Sequence, residues 1–445
     1  MRLLRCFLSV SVVLVMVALA ACGQPKTTAP AGQTPAAPTP GGGETPAGEV
    51  KLRLWIHQNV SFEAGYQALV DAYMAAHPNV KITTETFNYD TYIQTLETAL
   101  PAGEEADILQ MFGTWTCGYA DRLAPVPADV LTMEQAQKLF YAAPIGGFTC
   151  DGVLYGLPHE FNIEYGGVLV NKQMFVDAGL AYPPQWKSWD DVKRDAQALT
   201  KYDAGTMSVA GFDFVASDPA SFSFLAGILQ RGGSYWNADH TGFTFNTPEA
   251  RATLEWQLSI VKEWKVVDPV LYNDSTNWVG DAFFQKKVAI GYIGPWAVSQ
   301  GLTDYPDFGE FGYAILPYFG DRPVFVADSG WGLAVSPHGK NQAVAWDFVK
   351  FVCADPAHAL QWNITTSTIP AIPGNAESAG LMQAHPWMAV ELPQLPNGSY
   401  LGAMPDRDRV MYEILYPHIL NVLQGVETVD QALQAMDAEA NATFE

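Results

Sequence analysis

Positive charge is scarce in this 445-residue chain, where 24 Lys and Arg stand against 47 Asp and Glu for a formal net charge of −23. A field of that sign repels nucleic acid, nucleotides and anionic membrane surfaces, and no nucleic-acid partner is expected. Charge of either sign is sparse, at 16% of residues against 49% hydrophobic and 12% aromatic. That balance excludes a disordered chain or a coiled-coil rod. The phosphate-cradling patterns GxxxxGK[ST] and GxGxxG are absent, as are CxxC and GxSxG, so nucleotide, thiol-zinc and serine-nucleophile chemistry have no motif behind them. His159-Glu160 opens like HExxH, but Ile163 stands where the second imidazole belongs, so neither a metal site nor a cofactor is expected.

Cysteine is also rare, with five in the whole chain. Cys6 falls in the expected signal and Cys22 is taken up by the expected lipid, which leaves Cys117, Cys150 and Cys353, and three cannot all pair. Cys117 with Cys150 is the preferred pair because both lie in the first third of the body; three buried free thiols are the alternative.

What is present begins with Arg2 and Arg5 before an apolar run over residues 7–20, the length of an export signal and short of the ~20 residues needed to span a bilayer. Residues 19–22, Leu-Ala-Ala-Cys, resemble a bacterial lipobox, in which cleavage before Cys22 leaves its thiol to be lipidated. Residues 1–21 therefore read as a signal peptide. Residues 22–49 read as a lipidated Cys and a disordered tether: residues 23–49 hold six Pro and six Gly and no aromatic, Val, Ile, Leu or Met. The expected location is extracytoplasmic, lipid-anchored to the cell membrane in the periplasm or at the cell surface.

The remaining length exceeds the about 250–300 residues at which one core stops growing, so two packed domains are expected. Residues 50–56 alternate as a strand, Phe62, Tyr66, Leu69, Val70 and Tyr73 recur at helical spacing, and residues 80–86 alternate again. Strand, helix, strand implies parallel strands joined by a right-handed crossover, with ligands bound beyond the carboxyl ends, where His57 and Gln58 stand. Further strands are expected over 106–112, 167–170, 288–293 and 311–316. Helices are expected over 188–200, with a Ser188/Asp191 capping box, over 343–352 and over 409–423, with a Thr428/Gln431-capped helix at the end.

Several stretches carry a resemblance. They are Tyr155-Gly156-Leu157-Pro158; Val170-Asn171-Lys172 with Phe175, Ala178, Gly179 and Leu180; Pro183-Pro184 and Trp189-Asp190; residues 284–290 with Gly294-Pro295-Trp296; and residues 328–336, ahead of Lys340-Asn341. In this order and spacing the chain resembles the extracellular solute-binding protein family 1 of ABC importers, the group that includes maltose-binding proteins. The resemblance implies an α/β, two-lobed periplasmic-binding-protein fold of type II-like form, with lobes joined by a hinge of crossing strands near 164–168, 311–316 and 339–343. It divides the body into an N-terminal lobe of 50–163 plus 313–340 and a C-terminal lobe of 164–312 plus 341–445. It also implies no catalysis: a monomer captures a small molecule between its lobes and delivers it to the transmembrane permease subunits of an importer.

By position in the family pattern, Glu164 is similar to a hinge-side acid that hydrogen-bonds sugar hydroxyls and Trp296 to the platform that stacks on a sugar ring, while His57 and Gln58 look like first-lobe polar contacts. A pyranose has apolar CH faces and a hydroxyl rim, so its site needs flat aromatics and a few carboxylates or amides. Trp115, Trp278, Trp296 and Trp331 lie beside Gly, Pro, Asn or Thr at expected strand ends, and Asp328 and Glu160 are candidate hydroxyl acceptors. The expected guest is a neutral mono- or oligosaccharide. The alternatives are a cationic ligand such as a polyamine or peptide, a sensory receptor for the same sugar, and a secreted glycosidase using Glu160 and Glu164. Pro158 and Gly166-Gly167 oppose the helix that would set the last pair on one face.

Overall fold

The computed structural model describes residues 48–163, 166–270, 279–295 and 297–444. Its framework runs β1 (Val50–His57), α1 (Val60–Ala76), β2 (Val80–Phe87), α2 (Tyr89–Ala102), β3 (Ile108–Phe112), β4 (Leu157–Pro158), β5 (Val168–Asn171), β6 (Ile290–Gly291), α3 (Ala297–Asp304), β7 (Phe311–Ala314), β8 (Trp331–Val335), α4 (Gln342–Cys353) and α5 (Pro356–Thr366). Alternation in β1 buries Leu52, Leu54 and Ile56, and Trp55 and His57 at its far end are enclosed as well. The Asn59 side chain caps α1 by accepting from the Ser61 and Phe62 amides, and the expected stripe from Phe62 to Tyr73 turns inward.

The first sheet has the order β2-β1-β3-β8-β4. β1 is parallel to β2 and β3, and β8 runs antiparallel between β3 and β4, pairing Trp331 with Phe112. The second sheet, β6-β5-β7, is antiparallel throughout. Each sheet organises its own core, one containing Leu54, Tyr66, Ile108, Leu333, Trp346 and Trp362, the other Leu169, Phe212, Phe224, Ile290 and Tyr313. These are the two lobes.

The expected boundary at 341 is corrected. Helices α4 and α5 pack on the first core, where Trp362 meets Tyr66 at 4.5 Å between ring centroids. A Cβ on Gly65 would lie 2.9 Å from that indole, so α1 and α5 approach as closely as they do only because residue 65 has no side chain. Strand β7, with Tyr313 and Ala314, belongs to the second core, and so does the helical end of the chain from Val410. The chain leaves the first sheet after β4, returns between β7 and β8, and crosses for the third time between α5 and Leu401, well after 339–343. A small third core seals these crossings, joining Phe161, Ile163, Phe325 and Ala327 to Leu381, Met388, Leu392 and Leu395.

Cys117 is bonded to Cys150, and Cys353 is a buried free thiol. The capping boxes at Ser188/Asp191 and Thr428/Gln431 form as expected. Among the described residues no helix is long and apolar enough to cross a membrane.

Candidate functional site

The carboxyl ends of β1 and β3 and the start of β8 bring a set of rings together. His57 and Trp331 stack with centroids 4.3 Å apart and planes at 25°. Phe112 lies 4.9 Å and Trp115 5.3 Å from Trp331, and Tyr89 lies 5.8 Å from His57. Gln110 Oε1 accepts the His57 backbone N–H at 2.9 Å and sits 3.0 Å from Nδ1, which therefore carries the ring proton. Burial pushes the His57 pKa down to about 4, against a weaker upward pull from Gln110, so the ring is neutral at pH 7. Trp331 is only 8% exposed, which makes it an inner support of this cluster. Gln58 is exposed beside it.

Trp115 projects from the 3-10 helix Gly113–Arg122 that follows β3, a segment tied down by the Cys117–Cys150 bond. Its indole Nε1 and the Thr114 hydroxyl are buried without a hydrogen-bond partner. Both residues line a cleft of about 420 Å³. The first-lobe wall also holds Glu97 and Tyr119, and the facing wall is the segment from Met404 to Glu413, whose buried Met404, Val410 and Met411 belong to the second core. The pKa of the Tyr119 hydroxyl is pushed up to about 12, first by burial and then by Glu97, Asp408 and Asp406.

Arg407 organises the facing wall. Its guanidinium is ion-paired with fully buried Asp328 on the crossing segment, donates to Asp408 at 2.8 Å and to the Tyr412 hydroxyl, and lies 5.9 Å from the Phe112 ring. Asp328, expected as a hydroxyl acceptor, is fully buried and anchors Arg407. Glu160 is 2% exposed, and its carboxylate accepts the Trp331 backbone N–H at 3.3 Å. Desolvation raises its pKa to about 8, with the Trp331 amide pulling the other way. It is enclosed and is not among the residues lining the cleft. A second point of contact between lobes lies at Ser61 in α1, whose hydroxyl is 3.0 Å from that of Ser299 in α3.

The expected residues Glu164, Trp278, Trp296 and Cys22 lie outside the described residues. Thr114, Tyr119 and Arg407 were not anticipated. The alternating charges of Asp406-Arg407-Asp408-Arg409 were the available signal, but nothing local tied them to a wall nearly 300 positions away from Trp115. Among the described residues no group of three His, Cys, Asp or Glu could hold a metal ion.

A family model described as bacterial extracellular solute-binding protein matches residues 59–359. The maltotriose-binding protein of Pyrococcus abyssi is 24% identical over 342 residues, covering 74% of this chain and 68% of that protein. The diacetylchitobiose binding protein of Streptomyces coelicolor is 24% identical over 419 residues, covering 87% and 91%. The solved ABC transporter solute binding protein of Thermotoga lettingae, bound with alpha-D-tagatose, superposes with a TM-score of 0.75 at 20% identity over 89% of this chain and 100% of that one.

Proposed function

The chain belongs to the bacterial extracellular solute-binding proteins, and from that premise we propose that it captures a mono- or oligosaccharide between its lobes and delivers it to the permease of an ABC importer. In this reading it works as a monomer held to the membrane by lipid on Cys22. The relatives that bind maltotriose, diacetylchitobiose and tagatose support a carbohydrate. The observation that carries the proposal is the cleft itself: an indole and a phenol ring on one wall, a buried hydroxyl and indole N–H left without partners, and carboxylates opposite. That set matches the CH faces and hydroxyl rim of a sugar.

Transport requires a guest that shuts the lobes. Moving an equilibrium from 1:99 to 99:1 takes about 5.5 kcal/mol of preference for the closed form, which a stacked ring and several hydrogen bonds made by both walls at once can provide. Trp296 and Glu164 are assigned to the platform and the hinge-side acid from the resemblance. The burial of Glu160 weighs against the glycosidase alternative.

The test is a thermal-shift screen against a saccharide library followed by calorimetry, since a guest that binds only the folded form raises its melting point. A sugar that binds, is recovered chemically intact and loses at least about tenfold in affinity on Trp115→Ala supports the proposal. A flat response to every saccharide defeats it.

A further inference from the structure

The charge lining the cleft is unbalanced. Glu97, Asp406, Asp408 and Glu413 face it with two guanidiniums, Arg407 and Arg409. Arg407 is already committed to Asp328, behind the wall, and to Asp408. Carboxylates from α2 of the first lobe and from the 404–413 segment of the second converge on Tyr119, whose hydroxyl lies in the field of Glu97, Asp408 and Asp406, with Arg122 as the one opposing charge. Like charges brought together across a closing cleft repel one another, and a guest that neutralises them recovers that energy on closure. A metal ion is not the guest this arrangement fits, because among the described residues no three such groups come close enough to hold one.

A second, independent feature points to a ligand here. Thr114 is 3% exposed, lines the cleft and has a hydroxyl with no partner, and the Trp115 indole N–H beside it is in the same state. Buried polar groups are almost always satisfied, and these two are placed where a guest would satisfy them. The hydroxyl accepts from an N–H or O–H, the indole N–H donates to a sugar oxygen, and the rings of Trp115 and Tyr119 suit both a CH face and an ammonium group.

We infer that the guest is a saccharide carrying a protonated amine, an amino sugar unit whose ring lies against Trp115 and whose ammonium group faces Glu97 and Glu413. The inference rests on the carbohydrate reading above and narrows it, replacing the uncharged guest expected from the sequence. It also excludes uronates and sugar phosphates, which would meet the carboxylates with charge of the same sign.

The experiment compares α- and β-1,4-linked disaccharides, each offered with glucose, N-acetylglucosamine, glucosamine or glucuronate units, by thermal shift and calorimetry on the mature chain. The free-amine member is expected to bind about tenfold tighter than both its N-acetylated and its glucose counterparts, the glucose member separating loss of the charge from the bulk and amide that acetylation adds. The double variant Glu97→Gln, Glu413→Gln is expected to bring the free-amine to N-acetyl affinity ratio down to about one, whatever affinity both sugars lose together, with the unliganded melting temperature unchanged. Tighter binding of the neutral or uronate members, or an amine preference that survives the double variant, overturns the inference and leaves carbohydrate capture standing. Failure of every saccharide to bind removes both.

Discussion

The imidazole of His57 lies flat against the indole of Trp331, with centroids 4.3 Å apart, although the two residues are far apart in the sequence. This pair carries Trp115 at its edge, so the cleft wall rests on a buried stack.

That stack carries a pH signature. The His57 pKa is held near 4 in the fold against about 6.5 in an unfolded chain. The unfolded state therefore binds more protons as pH falls from 6.5 towards 4, and stability is lost across that window by up to about 3 kcal/mol. Urea unfolding at pH 7 and pH 4.5 is expected to show this loss, and His57→Asn to reduce its slope. Part of the slope should remain, because buried His159 is depressed in the same direction.

Glu160 predicts the opposite limb. With a folded pKa near 8, it contributes fully below about pH 4.5, and its contribution falls as pH rises through 8, since the unfolded chain releases the proton first. Glu160→Gln preserves an acceptor for the Trp331 amide and removes the titration. The variant is expected to gain at least about 1 kcal/mol over the parent at pH 7.5 and almost nothing at pH 4.5; equal effects at both values would contradict the assignment.

The ion pair between Arg407 and Asp328 is almost wholly buried. Removing one partner strands the other, so Asp328→Asn and Arg407→Met are each expected to cost about 3–5 kcal/mol in chemical denaturation. The double variant should cost less than the sum of the two, a coupling measurable in a mutant cycle.

Ser61 and Ser299 meet across the lobes at 3.0 Å. Ser299→Ala deletes this hydrogen bond between the lobes, worth about 0.5–1.5 kcal/mol. Calorimetry with the saccharide found by the thermal screen should show a fewfold weaker affinity and an unaltered unliganded melting temperature. No change in affinity would mean that the contact plays no part in closure.

Local rules were enough for β1, α1 and β2, because the apolar spacing from Leu52 to Ile82 distinguishes strand from helix without reference to anything distant. Caps at Ser188 and Thr428 were equally visible, since a side chain that satisfies its own helix needs only its neighbours. Trp115 was recognisable as a loop aromatic at a strand end, and the ordered motifs from Tyr155 to Ser336 carried the family.

The sequence by itself determined most of the elements, the acidic charge and the two-lobed class. Only the tertiary structure decided that α4 and α5 belong to the first lobe, that Asp328 and Glu160 turn inward, and that Arg407 and Glu413 face Trp115 and Glu97 across a cleft. Periodicity records which face of an element is apolar, but not which other apolar face it meets. A wall made of residues nearly 300 positions apart exists only once both cores have closed, because burial and pairing are properties of the assembled chain.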